Sequence, residues 1–384
     1  MKSLSSRMVS YAQEGENVMT KTPVIAWLGM VLLSSAAAAQ EASERVPSWM
    51  RTITPYGDFR YRHEVIDREG LERRTRQRIR VRLGFEARVT EDVDLGFRLA
   101  TGGTDPISTN QTLGEGLTSK AIALDFAYFD WHPGMAAGLH LLGGKMKNPF
   151  FSVGKSQLIW DSDLTPEGIA ASYTRAFGSL EAFGTFGGFW VQERSQDDDT
   201  GLLGAQGGFT FKVNNKAHLG GGLSYYTYPN VRGMAPMTSA GSAGNTLDLS
   251  NRYANEFNEV EVFAEGGFDG YGIPVALIGH YVTNRGAQDD NVAWLAGLVV
   301  GKCKDAHTWE IRYSYRKVER DAVLGAFCDS DFGGGGTDAE GHVLSLDYKI
   351  TSGVQGGITY FRNKIRLANP QNYQNLQVDL SLSF

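Results

Sequence analysis

The sequence lacks most of what holds chains of its length together. It has two cysteines, Cys303 and Cys328, in 384 residues, too few for a disulfide framework. No apolar run reaches the ~18–20 residues of a membrane-spanning helix. Proline is scarce at 11, whereas glycine reaches 47. Glycine costs about 1 kcal/mol at each helix-interior position, so a mostly helical fold is excluded. Disorder is excluded too, because aromatics make up 11% and disordered chains have few of them. A formal charge of -6 carries no nucleic-acid signature. There is no H-E-x-x-H, G-x-S-x-G or P-loop, and the seven histidines show no paired metal spacing. No catalytic residue, metal or cofactor is expected. Composition does not shift after residue 50, although chains this long usually divide into domains.

The N-terminus reads as an address. Lys21 precedes the apolar run Val24–Leu33, and the small residues Ser34 to Ala39 follow. This is the pattern of a secretory signal peptide, with cleavage expected after Ala39. Residues 1–18 lack that character, so Met19 is an alternative start. Residues 40–54 then form a short N-terminal segment, and 55–384 form one domain.

That domain alternates with period two. In Arg78–Val89, Ile79, Val81, Leu83, Phe85, Ala87 and Val89 interleave with Arg78, Arg80, Arg82, Gly84, Glu86 and Arg88. A strand points successive side chains to opposite faces, so one face is apolar and the other cationic. The same alternation places strands at 55–64, 76–89, 92–101, 120–131, 138–146, 167–175, 180–191, 201–213, 216–228, 256–268, 272–283, 291–301, 306–318, 340–350, 353–365 and 373–384. The segments near Gly184 and Trp294 alternate poorly. Connections after even strands are short and those after odd strands mostly long. An even number of ~10-residue alternating segments with loops sorted this way predicts an all-β fold: a closed antiparallel transmembrane β-barrel of 16 strands, with short periplasmic turns and long outer loops. Cys303 then falls in a turn and Cys328 in an outer loop, on opposite sides of an apolar band ~25 Å tall, so no bridge between them is expected.

The residues also carry a resemblance. The segments Tyr56–Arg62 (YGDFRYR), Arg78–Val89, Gly143–Phe150 (GGKMKNPF) and Trp160–Gly168 (WDSDLTPEG) resemble the putative porin family of Gram-negative bacteria. Phe384, closing an alternating strand, resembles the terminal signal read by the barrel assembly machinery. The resemblance implies a passive outer-membrane channel, set in lipid and lipopolysaccharide, trimeric, passing small hydrophilic solutes or ions.

A barrel of this size leaves an aqueous lumen, and its narrowest point decides what passes. The loop after the fifth strand, from about Lys147 to Pro166, carries Phe150, Phe151, Val153, Leu158, Ile159 and Trp160. It is the expected constriction, with Lys147, Lys155, Trp160, Asp161, Asp163 and Glu167 as its candidate residues. With the apolar face to lipid, Arg60, Arg62, Arg78, Arg80, Arg82, Arg88 and Arg98 face the lumen, since each arginine at the lipid midplane would cost about 2–4 kcal/mol. The tenth strand, opposite the second, carries Glu259, Glu261 and Glu265. Two readings follow. Either a transverse field crosses the pore and favours anions weakly, or the arginines pair locally with loop acids such as Asp161, Asp163 and Glu167. Asp161 and Asp163, and the run Asp197–Asp199, read as solvated charge sooner than as Ca²⁺ ligands. Tyr128, Tyr225, Tyr348 and Tyr360 read as interfacial girdle residues. A barrel-embedded lipid hydrolase would need a lipid-facing Ser–His pair. His63 and His280 lie near outer strand ends, without an evident serine. A plugged structural or adhesive barrel is the third reading.

Overall fold

The computed structural model describes residues 52–237 and 241–384. The expected signal peptide and nearly all of the 40–54 segment lie outside these residues. Strands run β1 (Ile53–Arg68), β2 (Arg74–Thr90), β3 (Val93–Thr101), β4 (Gln111–Thr112), β5 (Ile122–Trp131), β6 (Leu139–Lys145), β7 (Glu167–Phe177), β8 (Leu180–Gln192), β9 (Thr200–Asn214), β10 (Ala217–Tyr228), β11 (Phe257–Gly270), β12 (Ile273–Asn284), β13 (Val292–Gly301), β14 (Trp309–Val318), β15 (Ala339–Thr351), β16 (Val354–Ile365) and β17 (Gln371–Ser383). Each long strand pairs antiparallel with its sequence neighbours, and β1 pairs with β17, from Asp58 opposite Ser383 to Arg68 opposite Tyr373. The result is a closed barrel of 16 strands. The two-residue β4 sits inside a loop and pairs with β2.

The four longest connections, L2, L3, L5 and L7, all lie at one end of the barrel, and the two-residue turns all lie at the other. Turns at 91–92, 132–138, 178–179, 215–216, 271–272, 302–308 and 352–353 mark one end. The loops L1 (69–73), L2 (102–121), L3 (146–166), L4 (193–199), L5 (229–256), L6 (285–291), L7 (319–338) and L8 (366–370) mark the other. The tightest turns have the conformation they need: Tyr271 and Gly272 both take positive φ, at 55° and 81°, the type I′ geometry that matches strand twist. Cys303 lies in a short turn and Cys328 is buried in L7; both are free.

The outer surface is apolar. Exposed Leu83, Phe129, Phe186, Leu203, Leu223, Leu277, Leu344 and Leu380 form a band. Trp190, Tyr225, Tyr281, Trp294, Tyr313 and Tyr360 edge it toward the long loops, and Trp131, Phe177, Phe211, Phe268, Trp309 and Tyr348 toward the short turns. These are the two aromatic girdles of a membrane barrel. Glycine serves the inner face. A Cβ on Gly208 would strike the ring of Phe183, and one on Gly222 that of Phe263. Rings lie flat against the wall because the neighbouring strand offers no side chain there.

One facing differs from the alternation. Arg98 pairs with Phe126 but Leu99 pairs with Leu124, so Asp125 is the extra residue of a β-bulge. A bulge shifts side-chain parity by one. Phe126 and Tyr128 therefore turn inward, and Ala127, Phe129 and Trp131 turn to lipid. Tyr128 is not a girdle residue, whereas Tyr225, Tyr348 and Tyr360 do face outward.

The weakly alternating strands also have a cause. L3 folds into the lumen and packs its apolar side chains on the inner wall. Met146, Phe150, Val153, Leu158 and Ile159 are buried together with Phe189, Tyr226, Phe263, Ile278 and Leu295. Strands β8 and β13 are apolar on both faces because one faces lipid and the other faces L3.

Candidate functional site

L3 crosses the lumen and is tied at both ends and at its tip. At its start, the ring of Phe150 meets Trp160, Phe189 and Tyr226 at centroid distances of 5.2, 6.0 and 5.1 Å. The Phe151 N–H donates to Gln206 Oε1 at 2.6 Å. At its tip, Arg312 on β14 donates to the Gly154 carbonyl at 2.7 Å, and His280 Nδ1 shares a 2.9 Å hydrogen bond with Ser156 Oγ. Farther on, Trp160 Nε1 donates to Tyr228 OH at 3.0 Å. Asp163 takes Arg82 at 2.6 Å and the Thr109 N–H at 3.0 Å, which joins L3 to both β2 and L2.

L7 also folds inward, which the sequence reading did not anticipate. Ala322, Val323, Leu324, Ala326, Cys328 and Phe332 are buried. Arg316 pairs with Asp329 and packs over Phe332, 4.0 Å from its centroid. L3 and L7 meet directly: the Asp161 N–H donates to the Phe327 carbonyl at 2.8 Å, and the Ser330 N–H to Asp161 Oδ2 at 2.8 Å. L5 clasps L7 from above through Asn245 and Thr246, which bind the Val323 carbonyl and Asp321.

The arginines line the inner wall of β1–β3, and most meet a carboxylate. Arg62 grips Asp379 through two bonds of 2.8 Å and reaches Asp331 at 3.1 Å. Arg80 pairs with Asp58 at 2.7 Å, Arg82 with Asp163, and Arg98 with Asp125 at 2.5 Å over the face of Phe126. Arg60 and Arg78 differ. Arg60 donates to Asn110 at 2.6 Å, and its nearest carboxylate, already held by Arg62, is 3.9 Å away. Arg78 donates to Ser108 at 3.3 Å and, among the described residues, has no ion-pair partner. Arg88 sits apart, exposed at the short-turn rim beside Asp94 at 3.5 Å. Strand length explains this, since six residues separate it from Arg82.

The acidic residues of β11 do not form an open wall. L7 covers Glu259, and L3 reaches Glu261 through His280. Glu259 is fully buried and accepts the Leu324 N–H at 3.0 Å. Glu261 accepts from Ser224 and Tyr226 and lies 2.7 Å from His280 Nε2. Glu265 pairs with His218 at 3.0 Å. In place of an open carboxylate wall facing the arginines, as the strand faces alone suggested, Glu259 and Glu261 are enclosed and Glu265 is paired with a histidine. Glu167 lies outside L3 altogether: it opens β7 on the lipid-side face, bound to Lys145 at 2.8 Å. Lys147 sits beside Glu86 at 3.0 Å, and Lys155 projects from the L3 tip. His280 has a serine partner after all, but both lie inside the barrel and not toward lipid.

Two cavities flank L3. One, of about 380 Å³, is bounded by Arg60, Arg62 and Arg80 on one side and Glu310, Arg312 and Asp347 on the other. The second, of about 410 Å³, is bounded by Arg82, Arg98, Lys147 and Lys155, against Asp161 and Glu261. Burial, with Asp329 and Asp163 close by, pushes the Asp161 carboxyl up to about 8. Burial also opposes the charge of Asp163, but Arg82 and the Thr109 N–H outweigh it and hold that carboxyl below the usual carboxylate range. Among the described residues no cluster of His, Cys, Asp and Glu could hold a metal ion. Arg312 and Arg316 escaped the sequence reading, although Ile311–Arg316 repeats the arginine alternation of β2.

A closed 16-stranded barrel with a lipid-facing apolar band and an inward-folded third loop has the architecture of an outer-membrane channel of porin type. The comparisons agree. The model of the family described as Putative porin matches residues 67–259 and 245–384, and the chain belongs to that family. It is an outer-membrane protein. No curated protein matches the sequence. Among solved structures it is similar to OprB of Pseudomonas putida, at 12% identity and a TM-score of 0.58, covering 87% of this chain and 95% of that one. It is also similar to OmpF of Salmonella typhi, at 12% identity and 0.51, covering 86% and 97%. A loop-deletion form of OmpT, an outer membrane protein of Vibrio cholerae, matches at 11% and 0.50, covering 87% and 100%.

Proposed function

We propose that the channel passes small hydrophilic solutes and ions by passive diffusion beside L3, with a weak preference for anions. The observation that carries the preference is the incomplete pairing of the lumen's cations. Arg60 and Arg78 lack a carboxylate of their own, and Lys155 has no ion-pair partner among the described residues. Of the second cavity's cations Arg82, Arg98, Lys147 and Lys155, the first three are paired with Asp163, Asp125 and Glu86, which leaves Lys155, while Asp161 on the same lining favours its neutral form at neutral pH. Focused positive potential in a narrow lumen enriches anions. The porin resemblance supports a homotrimer in outer-membrane lipid, and exposed Phe384 as the handle for the barrel assembly machinery. No catalytic role is part of this reading.

The test is a reversal potential across a planar bilayer under a KCl gradient. The triple variant R60A/R78A/K155A is expected to lose the anion preference at near-normal conductance. Unchanged selectivity would make these cations structural. The burial of L7 in the lumen favours a second reading, a plugged barrel, which predicts no current at all.

A further inference from the structure

The ring of Phe151 is the part of L3 that the docking of the loop does not explain. Its neighbour Phe150 is buried, but Phe151 stays 48% exposed, and it does so inside the barrel, lining the second cavity beside L3. Its backbone is fixed without the ring. Gln206, buried on β9, accepts the Phe151 N–H at 2.6 Å and donates to the Phe151 carbonyl at 3.0 Å. Phe183 of β8 and Phe263 of β11 meet the ring at centroid distances of 5.5 Å each. The pore thus keeps a firmly placed aromatic surface in contact with its water, although burial of apolar area is what folding favours.

The same cavity holds a cation without a counter-ion. Lys155 follows Phe151 on L3 through a turn in which Gly154 and Lys155 take positive φ, at 53° and 59°, and both side chains line the cavity. Lys155 is exposed, with no ion-pair partner among the described residues. Glu261, on the same lining, is not free to answer it, being engaged by Ser224, Tyr226 and His280. Lys147 is a second cation of the lining; it meets Glu86 at 3.0 Å, with both side chains half-exposed, a pairing of little strength. The cavity, about 410 Å³, falls within the ~300–1,000 Å³ usual for small-molecule sites, which combine an apolar or aromatic wall with a few charged groups. Wall and charge together select a solute with a flat ring at one end and a negative charge at the other.

We infer that this cavity is a binding subsite for small aromatic carboxylates, the ring stacking on Phe151 and the carboxylate meeting Lys155. Stacked aromatic pairs gain more than their buried area alone supplies, so the ring is what separates these solutes from chloride and from aliphatic acids. The inference rests on the channel reading above and names a solute class for it: aromatic acids pause beside L3 on their way through.

The experiment is equilibrium dialysis of the folded, detergent-solubilised protein against radiolabelled benzoate, with cyclohexanecarboxylate and benzyl alcohol as competitors. Benzoate should bind saturably. Cyclohexanecarboxylate lacks the flat ring and benzyl alcohol lacks the charge, so each should compete about five-fold less well than unlabelled benzoate. F151L, which keeps apolar bulk without the aromatic face, is expected to bind benzoate about five-fold more weakly, and K155Q to lose a similar factor, roughly five-fold. The lipid-facing variant F186A should bind as the parent does. Undiminished binding by F151L or by K155Q overturns the proposal. So does equal competition by cyclohexanecarboxylate, which would mean a generic site for apolar anions. Should F151L lose the gel mobility of a folded barrel, K155Q, altered at the exposed tip of L3, decides alone. KCl current across a planar bilayer is measured separately. Current without saturable benzoate binding refutes this inference and leaves the channel standing; benzoate binding without current refutes the channel reading and leaves the subsite standing inside a plugged barrel.

Discussion

Phe150 is the side chain on which the docking of L3 turns. Its ring is 7% exposed and sits among Trp160, Phe189 and Tyr226. Beneath it are Gly204 and Gly187: a Cβ on Gly204 would strike the ring, and one on Gly187 would touch it. Replacing a buried phenylalanine by alanine costs about 3–5 kcal/mol, and more when the site cannot collapse. This site cannot. The two glycines have nothing to move into the void, and Phe189 and Tyr226 are fixed on β8 and β10. The loss therefore falls near the upper end of that range, about 4–5 kcal/mol, against L3 docking and not against the hydrogen-bonded wall. Arg82–Asp163 and Arg312–Gly154 still hold the loop, so L3 should fluctuate and not leave. In single-channel recording, F150A is expected to show larger mean conductance and rapid flicker while keeping the heat-dependent gel mobility of a folded barrel. The lipid-facing variant L203A should change neither. Parental conductance and noise in F150A would refute the argument that this aromatic contact holds the loop.

Three further outcomes follow from the same geometry. Because the Asp161 carboxyl is raised to about 8, the folded junction favours its neutral form. That contribution to stability is complete below the ordinary carboxylate range and is lost as pH rises through about 8. Current noise should grow across that window, and D161N should remove the pH dependence; an identical pH profile in D161N would sink the idea. A bulky maleimide should modify Cys303 but not Cys328 in the folded protein, since burial and the nearby Glu259 and Asp329 carboxylates hold the Cys328 thiol well above its ordinary range; equal labelling would place L7 outside the lumen. Finally, G222L would drive a side chain into the Phe263 ring, so folded yield in an assembly assay should collapse, whereas G279L, facing open space on the lipid side, should fold.

The wall of this protein was legible because its solvents alternate. One face of each strand meets hydrocarbon and the other water, so β2 could be read directly from Ile79 to Val89. Turn and loop lengths added an independent signal. What was not legible came from contacts between segments remote in sequence. The bulge at Asp125 leaves Ile122 to Tyr128 looking like an uninterrupted strand, because the inserted residue is itself polar. Glu259 and Glu261 alternate with the lipid-facing residues of β11, but nothing in β11 records that L3 and L7 bury them. L7 carried a usable sign, the apolar run Ala322–Phe327 inside a loop, of the same kind that identified L3. The poor alternation near Trp294 was a second sign: an inner face that is apolar needs something apolar to meet.

The seam between β1 and β17 sets a clock. In every other pairing of the wall, the partner strand is adjacent or nearly so in the chain, and such a hairpin can form as soon as its two strands exist. The β1–β17 pairing joins the first and last strands, and no earlier strand can stand in for β17 without slipping the register of all that follow. Until then both edges stay open and able to pair with a foreign strand. Closure is therefore the pairing with the greatest sequence separation and the largest loop-closure cost. The arginines gain their seal at the same moment, since Asp379, which neutralises Arg62, arrives on the closing strand. Before closure the lumen wall carries an excess of positive charge at its open edge, so the finished channel and its unfinished precursor differ in electrostatic character as well as in shape.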